Sequence, residues 1–169
     1  MASLSTPSGR LHVTLERAQS SGDDLTGAIG RGVGLAQLGR EIYRADRHGS
    51  ELAVAFLDLD GLRVVNNRDG HTAGDRLLRL LVERLLSNMR PYDLVVRMGG
   101  DEFLCGMPDA DADTARARVA LVAADSWDAT PTPSFSAGVA AVQRGDTSEA
   151  MVGRADADLR TRRAASVPH

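Results

Sequence analysis

The stretch Arg97-Met98-Gly99-Gly100-Asp101-Glu102-Phe103 decides the reading of this chain. An apolar run (Leu94, Val95, Val96) precedes it and another (Phe103, Leu104, Cys105) closes it. The pattern predicts two strands joined by a tight turn, with glycine supplying backbone angles that other residues avoid. Two carboxylates, Asp101 and Glu102, fall on that turn. They read either as ordinary solvated turn acids or as groups at a place where glycines let a bulky anion and its metal ions approach the main chain.

Working upstream, Leu52-Ala53-Val54-Ala55-Phe56-Leu57 is a continuous apolar run of strand length, as expected of a strand buried on both faces. It ends in Asp58-Leu59-Asp60-Gly61, which puts two acids at the carboxyl end of a central strand. Before it, Val33, Leu35, Leu38, Ile42 and Ala45 recur at helical spacing over 32–47, and Gly49 ends that helix. After it, a polar loop is expected through Asn66, Asn67, Gly70, His71, Gly74 and Asp75. A second helix then carries Leu77, Leu78, Leu80, Leu81, Leu85 and Leu86 on a broad apolar face.

Downstream of the hairpin, Asp109, Asp111 and Asp113 precede a helix and suit its N-terminal dipole better than a metal site. A strand over 135–142 and a last helix over 149–163 complete the order. The inner part is a split βαββαβ pattern. The predicted fold class is therefore α+β, a ferredoxin-like core with a central, mainly antiparallel sheet flanked by helices.

The chain has 169 residues, enough for one domain with its own core. We expect a tail or short connecting helix over 1–23, the domain over 24–165 and a tail over 166–169. Its 20 basic and 23 acidic residues leave a net charge of −3, which argues against a general nucleic-acid binder. The single cysteine, Cys105, excludes an internal disulfide framework and reads as a small core residue. No signal peptide and no membrane-spanning run is apparent, so a cytoplasmic location is expected.

The predicted order of elements brings the acids of 58–60 and of 101–102 to one edge of the sheet. Carboxylates there, with a main-chain carbonyl such as that of Leu59, suit Mg²⁺ or Mn²⁺. Two such ions, roughly 3.5–4 Å apart, clamp a triphosphate for in-line attack by a hydroxyl. The residues alone therefore point to metal-dependent nucleotidyl transfer.

Two motifs in this order resemble the GGDEF family, the diguanylate cyclases. One is Gly99-Gly100-Asp101-Glu102-Phe103. The other is the run from Asp58 to Asp75, which resembles Asp-x-Asp-x-Phe-Lys-x-x-Asn-Asp-x-x-Gly-His-x-x-Gly-Asp. Leu25, Thr26, Gly27 and Arg31 also resemble the segment Asp-x-Leu-Thr-Gly-Leu-x-Asn-Arg that opens the family's domain, with Gly30 in place of Asn. The similarity extends over about residues 23–163 and implies a nucleotidyl-cyclase, polymerase-palm-like fold.

By position, the resemblance implies that Asp58, Asp101 and the Leu59 carbonyl hold two Mg²⁺ (or Mn²⁺) ions per GTP site. Glu102 joins them in the catalytic centre. Asn66 and Asp75 would read the guanine edge, for which a carboxylate is suited because guanine offers two adjacent donors and adenine does not. Gly61, Leu62 and Arg63 would face the phosphates, Gly99 and Gly100 would allow close approach, and Arg163 would contact phosphate from the last helix. Arg90 and Asp93 resemble the family's inhibitory product site. The implied activity condenses two GTP into cyclic di-GMP and two pyrophosphates in a two-fold homodimer, inhibited by its product.

The chain departs from the pattern at Leu62 (Phe), Arg63 (Lys), Asn67 (Asp) and Arg160 (Tyr), and its end lacks the family's Gly-Arg-Asn. These changes leave the implied metal ligands and guanine contacts in place. The rival reading is a weak or inactive module that senses GTP or cyclic di-GMP. A relative that makes a different cyclic dinucleotide fits Asp75 less well.

Overall fold

A computed structural model describes residues 22–125 and 134–165. The described elements are β1 (Ile29–Gly30), α1 (Arg31–His48), β2 (Leu52–Leu59), α2 (Leu62–Asp69), α3 (His71–Asn88), β3 (Leu94–Arg97), β4 (Glu102–Pro108), α4 (Ala112–Ala124), β5 (Phe135–Ala141) and α5 (Ser148–Ala165). The tail or helix expected over 1–23 lies almost wholly outside the described residues, as does the tail 166–169.

The strands form one sheet in the order β1-β3-β4-β2-β5. Only the β1–β3 pair is parallel; the other neighbours run antiparallel. The inner order β3-β4-β2-β5 is the split βαββαβ arrangement expected from the sequence. Strand β2 is central, and side-chain alternation divides its apolar run between two cores. Ala53, Ala55 and Leu57 join Val95, Phe103 and Cys105 under α3 and α4. Leu52, Val54 and Phe56 join Val96 and Leu104 under α1 and α5. The inner helices thus cover one face and the two flanking helices cover the other.

Helix α5 lies unusually close to the edge strand β5. A Cβ on Gly138 would stand 2.1 Å from the Ala155 carbonyl oxygen and 2.1 Å from the Leu159 nitrogen, so the strand and helix backbones pack directly. Asp158 accepts the Val139 amide N–H at 2.8 Å, which satisfies a donor on the sheet's edge. Ser148 donates its hydroxyl to the Leu35 carbonyl at 2.9 Å and ties the start of α5 to α1.

Three local expectations are corrected. The polar loop over 66–75 is instead α2 followed by the start of α3. Gly61 and Gly70, at φ 73° and 83°, bracket an eight-residue helix in which only Val65 is buried, too little apolar surface to show a helical period. Asp75 accordingly lies inside α3, which begins at His71. At the hairpin, Gly99 and Gly100 are not in the left-handed region, so backbone geometry does not require them. Glu102 is the first residue of β4 and stands outside the turn. The Asp111 reading is borne out: it caps α4 by accepting the Thr114 amide N–H at 2.7 Å.

Candidate functional site

The acidic edge is built by strand register. Asp58, near the end of β2, stands directly opposite Glu102 at the head of β4. The Leu59 amide donates to the Asp101 carbonyl at 2.9 Å and locks the hairpin turn to the end of β2. Strand register thus brings Asp58 and Glu102, with the backbone of Asp101, to one edge of the sheet. Among the described residues, no three His, Cys, Asp or Glu side chains converge into a complete metal cage. Mg²⁺ needs none, because it binds through one or two carboxylates and completes its shell with water and substrate phosphates.

A stand-in cation marks the same spot. Arg163, at the end of α5, donates from Nη2 to Asp58 Oδ1 and to Asp60 Oδ1, each at 2.8 Å. Asp60 also accepts from the hydroxyls of Ser134 at 3.2 Å and Ser136 at 3.1 Å. The edge therefore already gathers positive charge between two carboxylates, and its donor set of hard oxygens fits Mg²⁺ or Mn²⁺.

Past the acids, Gly61 turns the chain with a left-handed φ into α2. No side chain caps this helix and no acid occupies its first turn, so the amides after Gly61, with the exposed Arg63, are open to an anion. Further along α2, Asn66 rests against α3. A Cβ on Gly74 would stand 2.0 Å from Asn66 Oδ1 and 2.9 Å from Leu62 Cδ1, so glycine is required where the helices cross. The Asn66 Oδ1 is buried and makes no hydrogen bond. Asp75, the residue after Gly74 on α3, is half-buried. A buried polar atom without a partner is a place for a ligand's hydrogen-bond donor.

The hairpin turn is anchored from outside by Arg97. Its guanidinium pairs with both Asp23 oxygens at 3.0 and 3.1 Å and donates to the carbonyls of Gly99 at 3.2 Å and Gly100 at 2.9 Å. Asp23 in turn accepts from the Thr26 amide and hydroxyl. Burial pushes the Asp23 carboxyl up, but the Thr26 hydroxyl, Arg97 and the Thr26 amide together outweigh it and hold it below its ordinary value. The spacing Asp-x-Leu-Thr over 23–26 is the sequence signal for Asp23.

Arg90 and Asp93 share a turn: Asp93 accepts the Arg90 amide N–H at 2.8 Å. The Asp93 side chain is fully buried and ion-paired with Arg118 at 2.7 Å. The Arg90 guanidinium hydrogen-bonds the Tyr92 hydroxyl at 2.9 Å and lies over its ring. Arg118 was not identified from sequence; its partner lies 25 residues away on another element. Cys105 is buried, and desolvation followed by the charge of Asp93 pushes its thiol up to about 12, which removes it as a nucleophile.

A family model for the diguanylate cyclase GGDEF domain matches residues 20–166. The chain belongs to the GGDEF family. The diguanylate cyclase DgcP of Pseudomonas aeruginosa is 32% identical over 155 residues, which cover 88% of this chain and 23% of DgcP. The chain thus spans less than a quarter of that relative. The crystal structure of the diguanylate cyclase SiaD with its activator SiaC, from the same organism, superimposes with a TM-score of 0.81 at 31% identity, over 93% of this chain and 64% of SiaD. A microbial GGDEF domain studied for its interaction with cyclic di-GMP matches with a TM-score of 0.77 at 31% identity, over 86% of this chain and 94% of that one. No helix among the described residues is long and apolar enough to cross a membrane.

Proposed function

We propose that this GGDEF domain is a diguanylate cyclase, converting two GTP to cyclic di-GMP and two pyrophosphates. The observation that carries this reading is the acidic edge, with Asp58 opposite Glu102 and the Asp101 carbonyl fixed to Leu59. DgcP, to which the chain is similar, is named for that activity.

In each half-reaction the 3′-oxygen of one GTP forms a bond to the α-phosphorus of the other. The α–β phosphoanhydride bond breaks, pyrophosphate leaves, and the hydroxyl proton passes to a carboxylate or water at the acidic edge. Asp58, Asp101 and the Leu59 carbonyl would hold Mg²⁺ or Mn²⁺, two per site, which supply charge neutralisation for the triphosphate and leaving group. The amides after Gly61, with Leu62 and Arg63, receive phosphate oxygens, and Gly99 and Gly100 leave room for the nucleotide. Asn66 and Asp75 orient guanine, with Asp75 accepting N1–H and the 2-amino group. Positioning carries most of the catalysis.

One site holds one GTP, so two copies must face each other as a two-fold dimer. Cyclic di-GMP would inhibit by engaging Arg90, with Asp93 and its Arg118 pair shaping the turn. Calorimetric titration with a GTP analogue lacking the 3′-hydroxyl tests the site without turnover. Binding that requires Mg²⁺ and disappears in Asp58→Asn is expected; binding unchanged in that variant would contradict it.

A further inference from the structure

We propose that Asp60 is a positioning residue: it holds Arg163 at the acidic edge, where the guanidinium covers Asp58 until the metal-bound nucleotide arrives and then faces its phosphates. The inference rests on the nucleotide reading above and adds to it a role for Asp60 and a movement for Arg163.

Four contacts brace Asp60. Its carboxylate accepts from Ser134, Ser136 and Arg163, and its own amide donates to the Ser134 carbonyl at 2.8 Å. The residue is thus fixed to the start of β5. Arg163 is fixed from the other side, because Gly138 and Asp158 set α5 against the same strand. Between these two anchors, Nη2 alone serves both Asp58 and Asp60. A guanidinium carries five N–H donors in a planar fork, so the hydrogens on Nε and Nη1 remain for phosphate oxygens.

The charge balance explains why a switch is needed. Asp58 and Asp60 lie two residues apart on one strand end, on the face covered by α5, and the guanidinium offsets their repulsion. A divalent ion on Asp58 would meet that same fixed positive charge, and arginine does not relieve it by losing a proton. Arg163 must therefore release Asp58 when the ion binds. Asp60, already held by two serines, keeps the guanidinium close enough to take up the anion that the ion brings.

The test measures two bindings on the 169-residue chain: Mn²⁺ alone, by the loss of its free paramagnetic signal, and Mn²⁺ with 3′-deoxy-GTP, by calorimetry. Arg163→Met is expected to bind Mn²⁺ alone at least about threefold more tightly, because a competing cation has gone. It should bind the nucleotide about tenfold more weakly, because a charge-assisted phosphate contact has gone. Asp60→Asn should weaken nucleotide binding in the wild-type background and have little effect in the Arg163→Met background, the signature of a residue acting through another. A damaged fold would weaken both bindings together, and that result in Arg163→Met, with Asp60→Asn costing the same in either background, would overturn the proposal. Asp58→Asn separates the two claims: its loss of Mn²⁺ binding upholds the metal reading whatever Arg163 does, whereas retained binding would remove the basis of both.

Discussion

Asp58 and Glu102 are cross-strand partners, set opposite each other by the β2–β4 register although 44 positions separate them in sequence. Two like charges side by side on a sheet destabilise it. A fold keeps such a pair where a cation or a ligand compensates. Neutralising one of them, in Glu102→Gln, should raise the melting temperature of the ligand-free domain by about 1–2 °C, taking about 0.5 kcal/mol for an unfavourable cross-strand pair. Differential scanning calorimetry without divalent ions checks this, and no change or a fall would count against net repulsion at the edge.

The Arg97–Asp23 pair fastens the turn over 23–27 to the carbonyls of Gly99 and Gly100. Removing a charge-assisted network of this kind costs about 2 kcal/mol, so Arg97→Ala should melt about 4–8 °C lower. The same pair sets an acid limit. Asp23, Asp111, Asp146 and Asp158 all hold pKa values below the ordinary 3.8. Groups with depressed folded pKa values contribute stability above the unfolded value and lose it as pH falls through the folded one. Stability should therefore be flat above pH 5 and drop below about pH 4, and Asp23→Asn should soften that drop. A pH series of urea midpoints reads it directly.

Gly74 and Asn66 make the proposed guanine site sensitive to a single methyl. Gly74→Ala would place a Cβ 2.0 Å from Asn66 Oδ1. GTP-analogue affinity should fall at least about tenfold, while overpacking costs about 1–3 kcal/mol of stability. Asp75→Ala should lose discrimination instead. The wild type is expected to favour GTP over ITP, which lacks the 2-amino group, by about 5–100-fold, and the variant should bind both alike. Competition titrations with the two nucleotides decide the matter.

Arg90 and Asp93 should separate in mutagenesis. Asp93→Ala strands Arg118, only 13% exposed, without its partner, and breaking such a buried pair costs about 3–5 kcal/mol. Arg90 reaches outward to Tyr92, so Arg90→Ala should keep its melting temperature within about 2 °C. It should still lose cyclic di-GMP affinity. Equal effects of both substitutions on stability would show that the turn is not organised as described.

Much of this was legible in the sequence, for identifiable reasons. Strand β2 announced itself because burial on both faces demands an unbroken apolar run, and its terminal acids stood out against it. The hairpin was marked by its flanking apolar runs. Helix α2 was not legible, because it buries only Val65 and its boundaries are two glycines that also suit a loop. Strand β1, two residues long, carries no periodic signal. The Asp58–Arg163 and Asp23–Arg97 pairs bridge 105 and 74 positions, and the spacing of charges along a chain does not reveal such partners. Gly138 read as a plain strand residue, although its missing Cβ is what brings α5, and with it Arg163, to the site.

The central claim is that the acidic edge makes cyclic di-GMP. Purified protein at high concentration, incubated with GTP and Mg²⁺ and analysed by mass spectrometry beside Asp101→Ala, tests it directly. Cyclic di-GMP and pyrophosphate from the wild type, with neither from the variant, is the predicted result. No product at any protein concentration, while cyclic di-GMP still binds, would contradict it and make the domain a receptor.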